Sequence, residues 1–200
     1  MIVIDDIVQG SPEWFSAKCG VPGASSFSKI VTTTGEPSKS AKDYMYQLAA
    51  EAITGQVEQG FQSAAMTMGI EREAESRSLY ELINAVEVKQ VGFIFNDSKM
   101  YGCSPDGVCE TWGLELKNPL PKTQVKYLLD GKLPTEYFQQ VQGSMLITGF
   151  ERWDFMSHSP GLEPLIIQCE PDPRFQSKLK AELEGFCFEL VKIIKKIKGG

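Results

Sequence analysis

One stretch constrains the fold more than any other: Asp106-Gly107 followed by Gly113-Leu114-Glu115-Leu116-Lys117. Side chains alternate faces along a strand, so Leu114 and Leu116 point one way while Glu115 and Lys117 share the other. A core on the leucine side then leaves a carboxylate and an ammonium together on the opposite face. Asp106 precedes a short hairpin connection, which can carry its carboxylate back beside Glu115. Two acids and one base converge on a small volume, and clustered like charges need a reason to be there.

The rest of the chain reads as one α+β unit. A helix is expected from Ala41 to about Thr54, stopped by Gly55. A second helix runs from about Met68 to Asn84, with Ile70, Ala74, Tyr80 and Ile83 near one face. Strands are expected at Glu87–Asn96, Lys99–Ser104 and Trp112–Asn118. Pro134 and Thr135 open a helix through about Ile147, with Gly149 as its stop. Strands at Trp153–His158 and Leu165–Glu170 precede a long last helix. That helix spaces Leu179, Leu183, Phe186, Leu190, Ile194 and Ile197 by three and four. Thr32–Ser40, with Gly35 and Pro37, reads as a mobile loop. No repeat or low-complexity segment interrupts the chain, and 200 residues suit a single domain spanning 1–200.

Composition removes several classes. No apolar run approaches the roughly 20 residues of a membrane span, and no signal peptide is visible, so a cytoplasmic protein without a membrane partner is expected. The five cysteines are scattered and odd in number, which argues against a disulfide framework. With one histidine, His158, and no CxxC, a structural zinc site is not expected, and His158 reads as structural. No Walker A loop is present. The net charge of −6 argues against a protein that coats DNA nonspecifically. It argues less against a nuclease, whose metal-binding carboxylates are neutralised by cations. Lys192, Lys195, Lys196 and Lys198 complement the dipole of the last helix and read as a solvated face.

The Asp106, Glu115 and Lys117 set suits phosphodiester hydrolysis. Carboxylates from Asp106 and Glu115 with a strand carbonyl such as that of Leu116 match hard Mg²⁺, which keeps several waters. Lys117 can orient an attacking water and stabilise charge on the phosphoryl group. Glu73 on the second helix offers another acid. It also stands four residues before Arg77, the spacing of a helix ion pair.

Pro105-Asp106, the gap, and Glu115-Leu-Lys117 resemble the signature of PD-(D/E)xK nucleases. The fuller pattern resembles the lambda-exonuclease type, or YqaJ-like viral recombinases. It comprises Trp14, Gly20-Val21, Ala24-Ser25, Gly69 with Glu73, Cys103-Ser-Pro-Asp106-Gly, Gly113-Leu-Glu115-Leu-Lys117 with Pro119, and Gln140-Val-Gln142 with Met145. The resemblance implies a restriction-endonuclease-like core, a central mixed β-sheet flanked by helices. It implies that Asp106, Glu115, the Leu116 carbonyl and Glu73 bind two Mg²⁺ ions, with Mn²⁺ as a possible substitute, and that Lys117 acts on the water. Ser25 and Ser104 would hold a 5′-terminal phosphate, with Gln140 near the same pocket. Lys18 stands where the family usually has arginine, a point charge in place of a bidentate fork. Met66 falls at the position of an apolar wedge near the DNA end.

The activity implied is 5′-to-3′ degradation of one strand of linear double-stranded DNA to mononucleotides, leaving a 3′ single-stranded tail for recombination. A ring-shaped homotrimer, a single-strand annealing partner and a phage or prophage origin in a bacterial host are implied as well. Two alternatives stay open: a restriction or repair endonuclease of the same superfamily, and a non-catalytic DNA-binding protein on a nuclease fold. A binding role needs none of Asp106, Glu115 and Lys117, which weighs against the second.

Overall fold

The alternating run forms a strand whose two faces divide as its sequence demands. In the computed structural model Leu114 and Leu116 are buried against Tyr80, Val88 and Met156. The structure describes residues 1–57 and 64–199, with side chains described at 1–57 and 72–199. In chain order these form β1 (Ile2–Ile4), α1 (Pro12–Lys18), a 3-10 helix (Ala24–Lys29), α2 (Ala41–Thr54), α3 (Ala64–Asn84), β2 (Phe93–Phe95), β3 (Gly102–Cys103) and β4 (Gly107–Val108). There follow β5 (Gly113–Lys117), α4 (Pro121–Asp130), a 3-10 turn (Thr135–Tyr137), α5 (Phe138–Thr148), β6 (Trp153–Ser157), β7 (Leu165–Cys169) and α6 (Pro173–Lys198).

The α+β class and the flanking helices are as expected, but the strands divide into two sheets. One is mixed, in the order β4-β5-β6-β7; the other is β1-β2-β3 and antiparallel. β4 and β5 make the hairpin, pairing Gly107 with Leu114. β5 and β6 run parallel, from Gly113 opposite Trp153 to Lys117 opposite Ser157. A glycine is required at 113 because a Cβ there would stand 2.2 Å from the Trp153 ring.

The expected strand Glu87–Asn96 shrinks because its two ends serve different sheets. Lys89 bridges to Val108 beside the mixed sheet, whereas Phe93–Phe95 pair with β1 and β3. Lys99–Ser104 also shortens: Lys99 sits in a turn with φ 57°, its N–H donating to Asn96 O. The run Thr32–Ser40 is tied down rather than free. Val31 bridges to Pro37, and Lys178 Nζ donates to Thr34 O at 3.0 Å and pairs with Glu36.

Two helices lie outside the sequence expectation. α1 is capped by Ser11, whose hydroxyl accepts from Trp14 N–H, and it carries Pro12 in its first turn. α4 starts at Pro121 and ends on a left-handed Gly131. Its apolar pattern is inverted in part: Tyr127 is buried, but so is a glutamine. Gln124 is buried and donates to Ser157 O and Glu163 O, while Val125 and Leu129 face outward. A search for apolar periodicity therefore passes over it. α3 departs from expectation in its face: Ala74 and Ile83 are exposed, and the buried residues are Ser76 and Tyr80. α6 follows its apolar spacing through Leu190, but Ile197 is exposed.

α3 is clasped to the mixed sheet by a buried polar network. Asp154 is fully buried and accepts from Tyr80 Oη at 2.6 Å and from Arg152 Nε at 2.7 Å. Trp112 Nε1 donates to Tyr80 Oη at 2.9 Å, and the Arg152 guanidinium stacks over the Trp112 ring. Removing the cation strands a buried carboxylate. Arg152→Ala is therefore expected to cost about 2–3 kcal/mol in a denaturant titration, at the low end for a broken buried pair because the guanidinium is partly exposed. Arg152→Lys should recover part of that loss, by returning the charge without the two-pronged geometry.

Candidate active site

The hairpin brings the predicted acids together by backbone geometry. Asp106 N–H donates to Leu114 O at 3.1 Å, extending the β4–β5 ladder by one residue. The Asp106 side chain turns back across it, and its Oδ2 accepts from Leu116 N–H at 2.7 Å. That bond fixes one carboxylate oxygen next to the backbone of the alternating strand.

Glu115 is buried. Its Oε1 accepts from Gln140 Nε2 at 2.6 Å and from Lys117 Nζ. Gln140 projects from α5, so a third element orients this carboxylate. Burial pushes Glu115 up to about 7; Lys117 and Gln140 pull it down, and the Asp106 charge adds to the rise. Burial also raises Asp106, against the charges of Lys117 and Arg77 and the Leu116 N–H. Lys117 lies 5.2 Å over the Tyr137 ring. Burial opposes its charge, but the carboxylates of Glu115 and Asp106 outweigh burial and hold it protonated well above the usual lysine range.

Glu73 pairs with Arg77 one turn later, and burial together with the Asp106 charge raises its pKa, opposed by the charges of Arg77 and Lys117. Arg77 does more than neutralise Glu73. Its Nε donates to Asp106 O at 3.2 Å and ties α3 to the hairpin. Sequence reasoning saw Arg77 only as a helix partner; nothing in the spacing signals the bond to Asp106.

The second group of predicted residues lies on neighbouring elements. Trp14 Nε1 donates to Ser104 Oγ and to Gly92 O, each at 3.0 Å. Lys18 Nζ sits 3.8 Å over the Trp14 ring, so Lys18, Trp14 and Ser104 form one cluster. Burial lowers the Lys18 pKa, opposed by the charge of Glu51. Glu51 is buried on α2 and accepts from Gly20 N–H at 3.2 Å, an acid that the sequence did not single out. Ser25 is exposed on the 3-10 helix, whose cap position is Gly23. Gly23 bridges in parallel to Gly102, and Ser25 and Ser104 each follow their bridge residue by two. The bridge places the start of the 3-10 helix beside β3, the strand that leads into Ser104. The side chain of Met66 lies outside the described residues.

Among the described residues no group of three or more His, Cys, Asp or Glu side chains is placed to hold a metal ion. The available donor set is instead two desolvated carboxylates, Asp106 and Glu115, beside the strand carbonyl of Leu116. Oxygen donors few enough to leave water on the ion fit Mg²⁺.

A family model described as a YqaJ-like viral recombinase domain matches residues 13–151. The chain belongs to that family. All of the site residues named above lie inside the matched span. An alkaline exonuclease from Laribacter hongkongensis, LHK-Exo, superposes with a TM-score of 0.85 at 30% identity, over 94% of this chain and 96% of that one. The same enzyme solved in complex with dAMP gives the same values. A phage-related exonuclease from Haemophilus somnus 129PT shares the fold, with a TM-score of 0.67 at 13% identity, over 88% of this chain and 96% of that one. No curated protein matches the chain. The YqaJ-like domain here has, among its described residues, no helix long and apolar enough to cross a membrane.

Proposed function

We propose that this YqaJ-like protein is a Mg²⁺-dependent 5′-to-3′ exonuclease. It degrades one strand of linear double-stranded DNA to mononucleotides and leaves a 3′ tail for recombination by strand annealing. The observation that carries the reading is the convergence of Asp106, Glu115 and Lys117 at the β4–β5 hairpin, with Glu115 buried and Asp106 and Lys117 half-buried. Family membership and a 30% identical exonuclease, also solved with dAMP, support a nuclease.

Asp106, Glu115 and the Leu116 carbonyl would hold one Mg²⁺, and Glu73 would serve a second; Mn²⁺ could substitute. A bound Mg²⁺ would polarise the scissile phosphate and acidify an attacking water. The chain's own groups supply the rest. Gln140 and the Leu116 N–H aim the two carboxylates. Lys117 keeps its proton, so it acts as a hydrogen-bond donor and counter-charge to the phosphoryl oxygens rather than as a base. In the neighbouring cluster, Trp14 N–H occupies a lone pair of Ser104 and leaves the Ser104 proton free to donate to a terminal phosphate. Lys18 and Ser25 would add charge and a further hydroxyl. Met66 is retained as the apolar wedge at the DNA end.

The full reading is one nuclease domain over 1–200, assembled as a homotrimer around DNA. It would work with an annealing protein in the cytoplasm of a bacterium carrying the phage or prophage. Endonuclease action by the same residues is the alternative, since their chemistry does not itself require an end.

A digestion time course separates these. Linear duplexes with 5′-phosphate or 5′-hydroxyl ends and a closed circle are incubated with Mg²⁺ or EDTA, each strand carrying an internal label. Shortening of one strand from its 5′ end, with Mg²⁺ alone, is expected. Ser104→Ala should narrow the preference for the phosphorylated end. Cutting of the circle would transfer the reading to an endonuclease. A change in DNA mobility without hydrolysis would make the chain a binding protein.

A further inference from the structure

The one histidine of the chain lies behind Lys117, in a buried polar triangle that the chemistry above does not use. His158 follows β6, and its N–H donates to Lys117 O at 2.9 Å, extending the parallel ladder by one residue. Its ring Nδ1 is 3.1 Å from Ser76 Oγ. Ser76 is almost wholly buried on α3 and also hydrogen-bonds Asn118 Oδ1, on the residue after Lys117. Positions 73, 76 and 77 share one face of α3. Ser76 therefore lies beside Glu73 and Arg77 and ties their helix to the residues that follow β5 and β6.

A hydroxyl has one proton to give. Ser76 gives it to Asn118 Oδ1, so the bond to His158 must run from Nδ1–H to Ser76 Oγ. The imidazole is thereby assigned: Nδ1 carries a proton. The chain of donors runs from His158 through Ser76 to Asn118, and a group that satisfies both of its neighbours in a buried site has little freedom to turn.

We propose that Ser76, backed by His158, is a positioning residue that holds Lys117 against the acids on α3 and the hairpin. The role rests on the nuclease reading. It acts at a distance, because neither side chain touches the Asp106 or Glu115 carboxylates. Loss of the Ser76 hydroxyl removes a bond between α3 and the Asn118 side chain, next to Lys117. A misplacement of about 1 Å at a reacting centre can cost about a hundredfold in rate.

The test uses the full chain with Mg²⁺ and a 5′-phosphorylated linear duplex. Ser76→Ala is expected to lower kcat about ten- to hundredfold while KM for DNA ends stays within about twofold, the pattern of lost transition-state geometry rather than lost binding. His158→Asn returns an N–H near the Nδ1 position and should recover most of the kcat that His158→Ala loses. With one histidine, a ¹⁵N-imidazole spectrum has one ring to assign. It should show protonated Nδ1 in the wild type and a changed ring environment in Ser76→Ala.

The proposal is overturned by a Ser76→Ala protein with wild-type kcat, by equal kcat in His158→Asn and His158→Ala, or by an Nδ1 without a proton. Should Ser76→Ala fail to fold, the two His158 variants decide. Wild-type hydrolysis in the same assay reports on the nuclease reading separately; an inactive wild type removes the reaction and this role with it.

Discussion

Lys117→Ala is expected to lower hydrolysis of a linear duplex by about a hundred- to a thousandfold, the usual loss when one preorganised electrostatic stabiliser is removed. The size follows from what surrounds the ammonium. Lys117 is paired to Glu115 and kept protonated by the carboxylates of Glu115 and Asp106. It brings a fixed positive charge to a site of low polarity, where charge interactions are much stronger than in water. DNA binding should change far less than turnover, because the loss falls on the transition state. Lys117→Arg should restore the charge but not the rate, since the guanidinium is larger and donates in a plane. Single-turnover digestion and gel-shift measurements on the same preparations separate the two effects. Near-wild-type turnover in Lys117→Ala would remove Lys117 from the chemistry.

How much of this was legible in the sequence depends on which force places each group. β5 was legible because one face is buried and a one-residue slip would expose both leucines. Asp106 and Glu115 were legible because a hairpin leaves few places for a carboxylate nine residues upstream of the strand's own acid. α4 was hidden by its chemistry: of its two buried residues, Gln124 and Tyr127, one is a glutamine held by backbone carbonyls, while Val125 and Leu129 face out, so hydrophobic spacing carries little signal. The inward face of α3 was legible only in part: Glu73 and Tyr80 stood out in the sequence, but Ser76 is polar and buried while Ile83 faces out. The bonds from Arg77 to Asp106 and from Trp14 to Ser104 join residues 29 and 90 positions apart. No local pattern reports such contacts, although both tryptophan and arginine stood in view as members of motifs. The division of strands at Gly92 was likewise a tertiary choice: one β-prone run supplies residues to two sheets.

Asp106→Asn should abolish hydrolysis and, with it, the response of stability to Mg²⁺. The two acids at the hairpin are desolvated, so the metal-free fold favours their protonated forms. Both carboxylates titrate above their ordinary values, Glu115 at about 7. A carboxylate raised on folding contributes most below its unfolded pKa, and that contribution fades as pH rises through the folded value. Metal-free wild-type protein should therefore lose stability between about pH 4 and pH 8 from these groups. A divalent cation that binds only the folded state reverses the loss at high pH. At a concentration a hundred times its Kd it adds about 2.7 kcal/mol, which for a chain of this size raises Tm by roughly 5–10 °C. Asp106→Asn removes one of the charges that attract the ion and one of those that burial penalises. Its metal-free Tm at pH 8 should exceed that of the wild type, its Tm should vary less with pH, and Mg²⁺ should move it little. Thermal melts at pH 5 and pH 8, with Mg²⁺ or EDTA, read all three. An Asp106→Asn protein that gains as much from Mg²⁺ as the wild type would place the ion elsewhere. A wild type that is more stable at pH 8 than at pH 5 without metal would show that Lys117 and Arg77 compensate the buried acids in full.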